Sequence, residues 1–400
     1  MNFKTLILVS ATSVLLAGTA MAQTAVKIGV LNDRSGVYAD LSGEGSVIAA
    51  RMAVEDFDAA GKNITVEIVS ADHQNKPDVA STIARQWYDQ DGVDLIVDVP
   101  TSSAAFAVNE ITREKNKIFM NSGAGSADLT GAQCSPNTVH WTYDTWALAK
   151  GTGTAMVEQG NDKWFFITAD YAFGHALERD TMAIVEGSGG EVVGTVRHPF
   201  PGTDFSSYLL QAQASGAQVI GLANAGGDTV NTIKQASEFG ITQAGQALAG
   251  LLIFITDIHA LGLETAQGLV LTESFYWDLN DKTRAWSERF AAENDGKQPT
   301  MVHAGVYGSV LHYLKAVEST GGKETEALMA AMKSTPTSDP LFGEGMIRED
   351  GRKIHDMYLF EVKSPAESTG PWDYYTLLAT TPAAEAFRPL EDGGCAFLAE

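Results

Sequence analysis

A chain of 400 residues with 50 acidic and 27 basic side chains has a formal net charge of −23. Such an acidic surface repels polyanions and argues against nucleic acid as a partner, although a pocket can still be locally positive. A hydrophobic share of 44% over this length supplies two cores rather than one, and no run beyond residue 22 reaches the roughly 20 apolar residues of a membrane helix.

The first residues hold a lone Lys4, the apolar stretch "LILVSATSVLLAG" and then Ala20-Met21-Ala22, the layout of a cleavable secretory signal. Residues 1–22 are read as that signal, cut after Ala22, so the mature chain is exported to the periplasm. Losing Lys4 takes the net charge from −23 to −24.

The next segment, "VKIGVLNDRSGVYADLSGEG", starts as an apolar strand, breaks into Asn32, Asp33, Arg34, Ser35, Gly36 and Tyr38, and resumes as a helix. A strand-to-helix connection needs only about 2 to 6 residues. A longer polar turn carrying an exposed tyrosine marks the place where open α/β sheets keep ligands. From there apolar runs, "ITVEIVS", "DLIVDV", "KIFMN", "KWFFIT", "EVVGTVR", "AQVIGLA" and "ALAGLLIF", alternate with helical patterns over 46–60, 77–90, 103–115, 173–187 and 228–239. Strands alternating with helices predict parallel sheets covered on both faces.

The series starts twice, at "IGVLNDRSGVYA" and at "FFITADYAFGHA", which predicts two doubly wound, Rossmann-like lobes. The seam falls in "NTVHWTYDTWALAKGTGTAM", with residues 141–143 as the first crossing and Asp144 or Thr145 as a helix cap. Later, "GLVLTESFYWD" reads as a strand running into an aromatic loop, 300–319 as a long helix, and "IHDMYLFEVK" with "WDYYTLLAT" as a hairpin. The expected organisation is 23–143 plus 273–335 for the first lobe and 144–272 plus 336–400 for the second, the tail returning to the first.

Cys134 and Cys395 lie outside any CxxC or metal spacing. In an exported chain an even count reads as one disulfide, with two buried thiols as the alternative. No GxSxG, HExxH, CxxC or GxxxxGK[ST] occurs, and Gly43/Gly45, Gly123/Gly125 and Gly151/Gly153 lack the third glycine of a dinucleotide fingerprint. The eight histidines have no metal-ligand spacing. No cofactor, metal or catalytic residue is expected.

What remains is a set of polar and aromatic residues at strand C-terminal ends. Thr101, Ser102 and Ser103 follow "DLIVDV" at a helix start, an arrangement that holds a carboxylate or simply caps the helix. Gly123, Gly125, Ser122 and Ser126 follow "KIFMN". Asp170, Tyr171 and Phe173 take the matching place in the second lobe, with Asn224 after "AQVIGLA"; Asp170 is a ligand contact or a helix cap. Trp141, Tyr143, Trp146, Phe254, Tyr276 and Trp277 form the aromatic population near the seam, with Tyr276 and Trp277 placed to line a cleft.

On "IGVLNDRSGVYADLSGEG", "PTSSAAF", "NSGAGSADLT", "DYAFG" before a helix, and "HAGVYGSVLHYLKAV", nearly the whole mature chain resembles the periplasmic solute-binding proteins of the leucine/isoleucine/valine receptor type, which serve ABC importers. The resemblance implies two α/β lobes joined by three crossings and closing on ligand, a type I periplasmic binding protein, with contacts at Tyr38, residues 101–103, Gly125, Ser126, Tyr171 and Phe173. In the family's amino-acid binders, first-lobe hydroxyls and amides take the carboxylate and an acid beyond a second-lobe strand takes the amine. Here the segment after "ALAGLLIF" reads "ITDIHALG", so that acid is Asp257 or is missing.

The function expected is therefore a monomeric, exported receptor for a small carboxylate, either a hydrophobic or branched-chain amino acid or an aromatic acid, which it delivers to an ABC permease. Two alternatives are a secreted enzyme using Asp170, Asp257 or His175 in the same cleft and a sensor that partners a membrane receptor.

Overall fold

The computed structural model describes residues 23–398, so the signal segment and its cut after Ala22 lie outside the described residues. Short, fully buried runs make the strands nearest the cleft: Leu95–Asp98 and Ile118–Asn121 have no exposed position, as strands covered on both faces require. In chain order the strands are β1 (Thr24–Asn32), β2 (Ile64–Asp72), β3 (Leu95–Asp98), β4 (Ile118–Asn121), β5 (Thr138–His140), β6 (Lys163–Ala169), β7 (Glu191–His198), β8 (Val219–Ala223), β9 (Ala247–Gly250), β10 (Val270–Glu273), β11 (Thr337–Asp339), β12 (Gly343–Ile347), β13 (Lys353–Ile354), β14 (Met357–Val362) and β15 (Tyr375–Thr381).

They form two main sheets, as the alternation of strand and helix predicts. The first, β2-β1-β3-β4-β5, is parallel throughout. The second runs β15-β14-β10-β9-β8-β6-β7; its inner strands are parallel, and the β14–β15 hairpin is added antiparallel to β10. A small antiparallel sheet, β11-β12-β13, lies beside them. The chain passes between the main sheets after β5, after β10 and again before β14.

After β10, the Asp281–Glu293 and Met301–Thr320 helices pack on the Gly43–Phe57 helix of the first sheet. Arg289 grips Asp56 with two hydrogen bonds of 3.0 and 2.8 Å, and the Tyr307 hydroxyl donates to the same carboxylate at 2.8 Å. The contact is close enough to need glycine: a methyl group on Gly45 would lie 2.4 Å from His303 Nε2. One apolar cluster runs from Val97 and Met120 through Trp141 and Tyr143 to Phe166 and Phe254, so the core continues from one lobe into the other. Cys134 and Cys395 are joined, 261 residues apart in sequence, and hold the C-terminal tail on the loop before β5. Among the described residues no helix is long and apolar enough to cross a membrane.

Candidate functional site

The C-terminal ends of β1, β3 and β4 face those of β6, β8 and β9, and the loops leaving them enclose a narrow cavity, closed down almost to the size of a water molecule. Its walls come from Tyr38, Leu41, Pro100, Gly123, Gly125 and Tyr143 on one side and Tyr171, Phe173, Ala225, Leu252 and Phe254 on the other. The long turn after β1 is built around buried Asp33, whose carboxylate accepts the backbone N–H groups of Gly36 (2.8 Å) and Tyr38 (2.9 Å). That fold of the turn presents Tyr38 inward, only 3% exposed, whereas the sequence alone predicts an exposed ring.

The Tyr38 and Tyr171 hydroxyls meet across the cleft at 2.5 Å. Phe200 stacks on Tyr171 with ring centroids 4.1 Å apart and leans on Tyr38 at 5.5 Å. Burial pushes both phenols above their ordinary pKa, so both are neutral and keep their protons. Tyr143, at the first crossing, donates its hydroxyl to the Gly123 carbonyl at 2.5 Å and thereby fixes the loop after β4. Asn121 holds the same loop from below through the Ala124 N–H (2.9 Å) and carbonyl (2.8 Å).

Behind this wall lie the hydroxyls of the first lobe. Thr101 occupies the N-cap position of the Ser102–Glu114 helix without capping it through its side chain; its hydroxyl donates to Asn75 Oδ1 instead. Ser102 Oγ accepts the Ser126 N–H at 3.2 Å, and Ser126 Oγ accepts the Asp128 N–H at 3.3 Å. The helix start and the Gly125–Ser126 turn are thus tied together, while Ser103 is half-buried beside them.

The remaining expected residues stand elsewhere. Asp170 is exposed and bonds His175 Nε2 at 2.8 Å. Asn224 is buried behind the wall, between His198 Nε2 (3.2 Å) and the Thr229 hydroxyl (2.7 Å). Asp257 accepts the Phe254 N–H at 2.9 Å as part of the Ile255–Leu261 helix start, and its burial pushes its pKa up to about 7. Tyr276 donates to the Trp372 carbonyl at 3.2 Å and packs with Phe360 and Tyr375 in the second-lobe core, where Trp277 also donates to Trp372. Tyr276 and Trp277 therefore do not line the cavity, because the β14–β15 hairpin claims both rings.

The cavity residues that sequence alone does not single out as contacts are Leu41, Pro100, Ala225, Leu252 and Phe254. Most directly follow a strand end, and that position was their signal. No acidic side chain lines the cavity among the described residues. At the rim, Arg179 bonds Asp128 twice at 3.1 Å and Asp180 at 2.9 Å, and the Gly227 N–H donates to the Val37 carbonyl at 3.1 Å. The lobes are closed on each other.

A family model described as "Periplasmic binding protein" matches residues 25–370. A periplasmic binding protein of Burkholderia mallei is 52% identical, with a TM-score of 0.90 over 94% of this chain and 99% of that one. A branched chain amino acid ABC transporter periplasmic ligand-binding protein of Burkholderia xenovorans LB400 is 40% identical, with a TM-score of 0.83 over 93% and 99% of the two chains. The Leu/Ile/Val-binding protein homolog 6 of Brucella melitensis is 28% identical over 366 residues, 88% of this chain and 92% of the relative. An ABC transporter solute binding protein of R. palustris, solved in complex with benzoate, shares the fold at 23% identity and a TM-score of 0.82, over 93% of this chain and 100% of that one. These relatives bind solutes and are not enzymes, so the secreted-enzyme reading of Asp170, Asp257 and His175 gives way to a binding protein. With two doubly wound sheets closed over an aromatic cavity and a match across residues 25–370, the chain belongs to the periplasmic binding protein family.

Proposed function

We propose that the chain captures a small carboxylate with a flat apolar body, an aromatic acid of the benzoate kind, and presents the closed form to an ABC permease. The carrying observation is the lining of the cavity: aromatic rings on both sides and no acid to receive an ammonium. In the family's amino-acid binders the amine partner stands beyond a second-lobe strand. Here the loop after β9 offers Leu252 and Phe254 to the cavity, while Asp257 is committed to the Phe254 N–H. The carboxylate end of the ligand is assigned to the side of the cavity lined by Pro100, Gly123 and Gly125, next to the start of the Ser102–Glu114 helix, whose dipole favours an anion.

A second reading, a branched-chain amino acid, is favoured by the 40% identical Burkholderia xenovorans relative, a branched chain amino acid ABC transporter periplasmic ligand-binding protein. In either reading the protein works in the periplasm as a monomer after loss of residues 1–22, and closure on ligand is the signal that the permease reads. Titration calorimetry with benzoate and leucine separates the two. Benzoate binding that is weakened by Ser102→Ala and Tyr171→Ala and indifferent to Asp257→Ala is the expected result. Leucine binding abolished by Asp257→Ala, at roughly 2 to 5 kcal/mol for an ammonium left without its partner, installs the second reading. Binding of neither, with a sugar or polyamine bound instead, overturns both.

A further inference from the structure

Arg352 is fully buried beside the first crossing, in the segment that leads back to β14. Its guanidinium donates to the carbonyls of Trp141 (3.0 Å), Tyr143 (3.1 Å) and Lys353 (2.9 Å). It also lies 3.5 Å from the Asp144 carboxylate and 4.2 Å over the Phe387 ring. The intervening carbonyl, Thr142, faces His355 Nε2 at 2.7 Å. His140 and Arg352 form a parallel bridge, reinforced by the His140 N–H donating to the Gly351 carbonyl at 2.9 Å. Every carbonyl from Trp141 to Tyr143 is therefore held by the returning segment. A planar fork of donors can span two carbonyls on one strand, as a single ammonium cannot.

We propose that Arg352 is the positioning residue of the hinge: it locks the crossing at 141–144 to the one at 351–356, so that the two strands turn together and Tyr143 keeps its place on the cavity wall. The charge is buried at a cost that nothing in either lobe's own core requires; what it connects are two stretches of chain that pass between the lobes. Without it the crossings are tied only by the His355–Thr142 and His140–Gly351 bonds, and the closed geometry becomes one of several. This inference rests on the reading of the chain as a two-lobe receptor that closes on its ligand.

The test is the interlobe distance distribution, measured by electron paramagnetic resonance between spin labels on cysteines placed at exposed Glu67 in the first lobe and Lys234 in the second. Cys134 and Cys395 are bonded to each other and do not compete for label. Arg352→Met, without ligand, is expected to broaden the distribution and move it to longer distances, and Arg352→Lys to fall between. If benzoate binds the parent protein, its affinity falls about tenfold as the competent population falls tenfold. A role in stability alone lowers the melting temperature and leaves the distribution as in the parent, which overturns the proposal. If Arg352→Met does not fold, Arg352→Lys takes its place, since its single ammonium cannot span both carbonyls; an unchanged distribution there is equally fatal. The distance measurement needs no ligand, so failure of the benzoate reading and failure of the clamp are seen separately.

Discussion

Tyr38 and Tyr171 bring two phenolic protons to one shared hydrogen bond, which leaves one proton free to be donated to a ligand oxygen. Either single change to phenylalanine keeps one hydroxyl in the cavity but removes the bond between the lobes, at about 0.5 to 1.5 kcal/mol. The double change removes both donors and leaves the ligand oxygen without a partner, at about 1 to 3 kcal/mol. Calorimetry with benzoate is expected to show the double variant weaker than either single one; three equal losses would mean that the pair acts only as a strut. Asp257 carries a second residue-scale prediction. Burial, the largest cause, raises its folded pKa to about 7 from an ordinary value of 3.8. A carboxyl raised in this way supports the fold fully below about pH 4 and loses that support as pH rises through about 7, on a scale of about 1.4 kcal/mol per pH unit. Asp257→Asn keeps an acceptor for the Phe254 N–H and cannot ionise. Its melting temperature is expected to vary less than the parent's between pH 4 and 8 and to be higher at pH 8. A residual slope of the same sign remains from Asp228 and Asp98, which burial also raises, to about 7 and about 6.

The elements were far more legible in sequence than the side chains between them. Alternating apolar runs and helical spacing give the parallel order because backbone pairing depends only on local pattern. The aromatic loop after β10 misleads, since Tyr276 and Trp277 are claimed by Trp372, about a hundred residues on, and local pattern carries no sign of such a partner. The run "ALAGLLIF" misleads in the other direction: β9 stops at Gly250, so Leu252 and Phe254 belong to a loop over the cavity, although their hydrophobicity reads as buried strand. The tail shows a third case, legible through cysteine count alone. It lies with Arg388 donating to the Ala127 carbonyl at 3.0 Å and Phe387 under Arg352. Replacing both cysteines by serine is expected to cost roughly 2 to 5 kcal/mol of stability, read from denaturant unfolding. Amide exchange should quicken in the tail first; uniform quickening across both sheets would show that the bridge holds more than the tail.

At the scale of the whole molecule the question is how much of closure belongs to the protein and how much to its ligand. The contacts that hold the rims together are the Tyr38–Tyr171 bond, the Gly227–Val37 bond and the ion pairing of Arg179 with Asp128. The Arg179 side chain is 51% exposed, and pairs of that kind contribute about 0.2 to 1 kcal/mol. The rim therefore biases the lobes toward closure without deciding it, which leaves the decision to the ligand, as the proposed presentation of a closed form to a permease requires. Arg179→Ala is expected to weaken benzoate binding by about one and a half- to fivefold, through the population of the closed form and not through any contact in the cavity. In 1 M salt, where screening reaches across about 3 Å, parent and variant should converge. Small-angle scattering should give both the same compact radius at saturating benzoate and a larger one for the variant without it. A variant as compact as the parent in the absence of ligand would remove the ion pair from the account of closure.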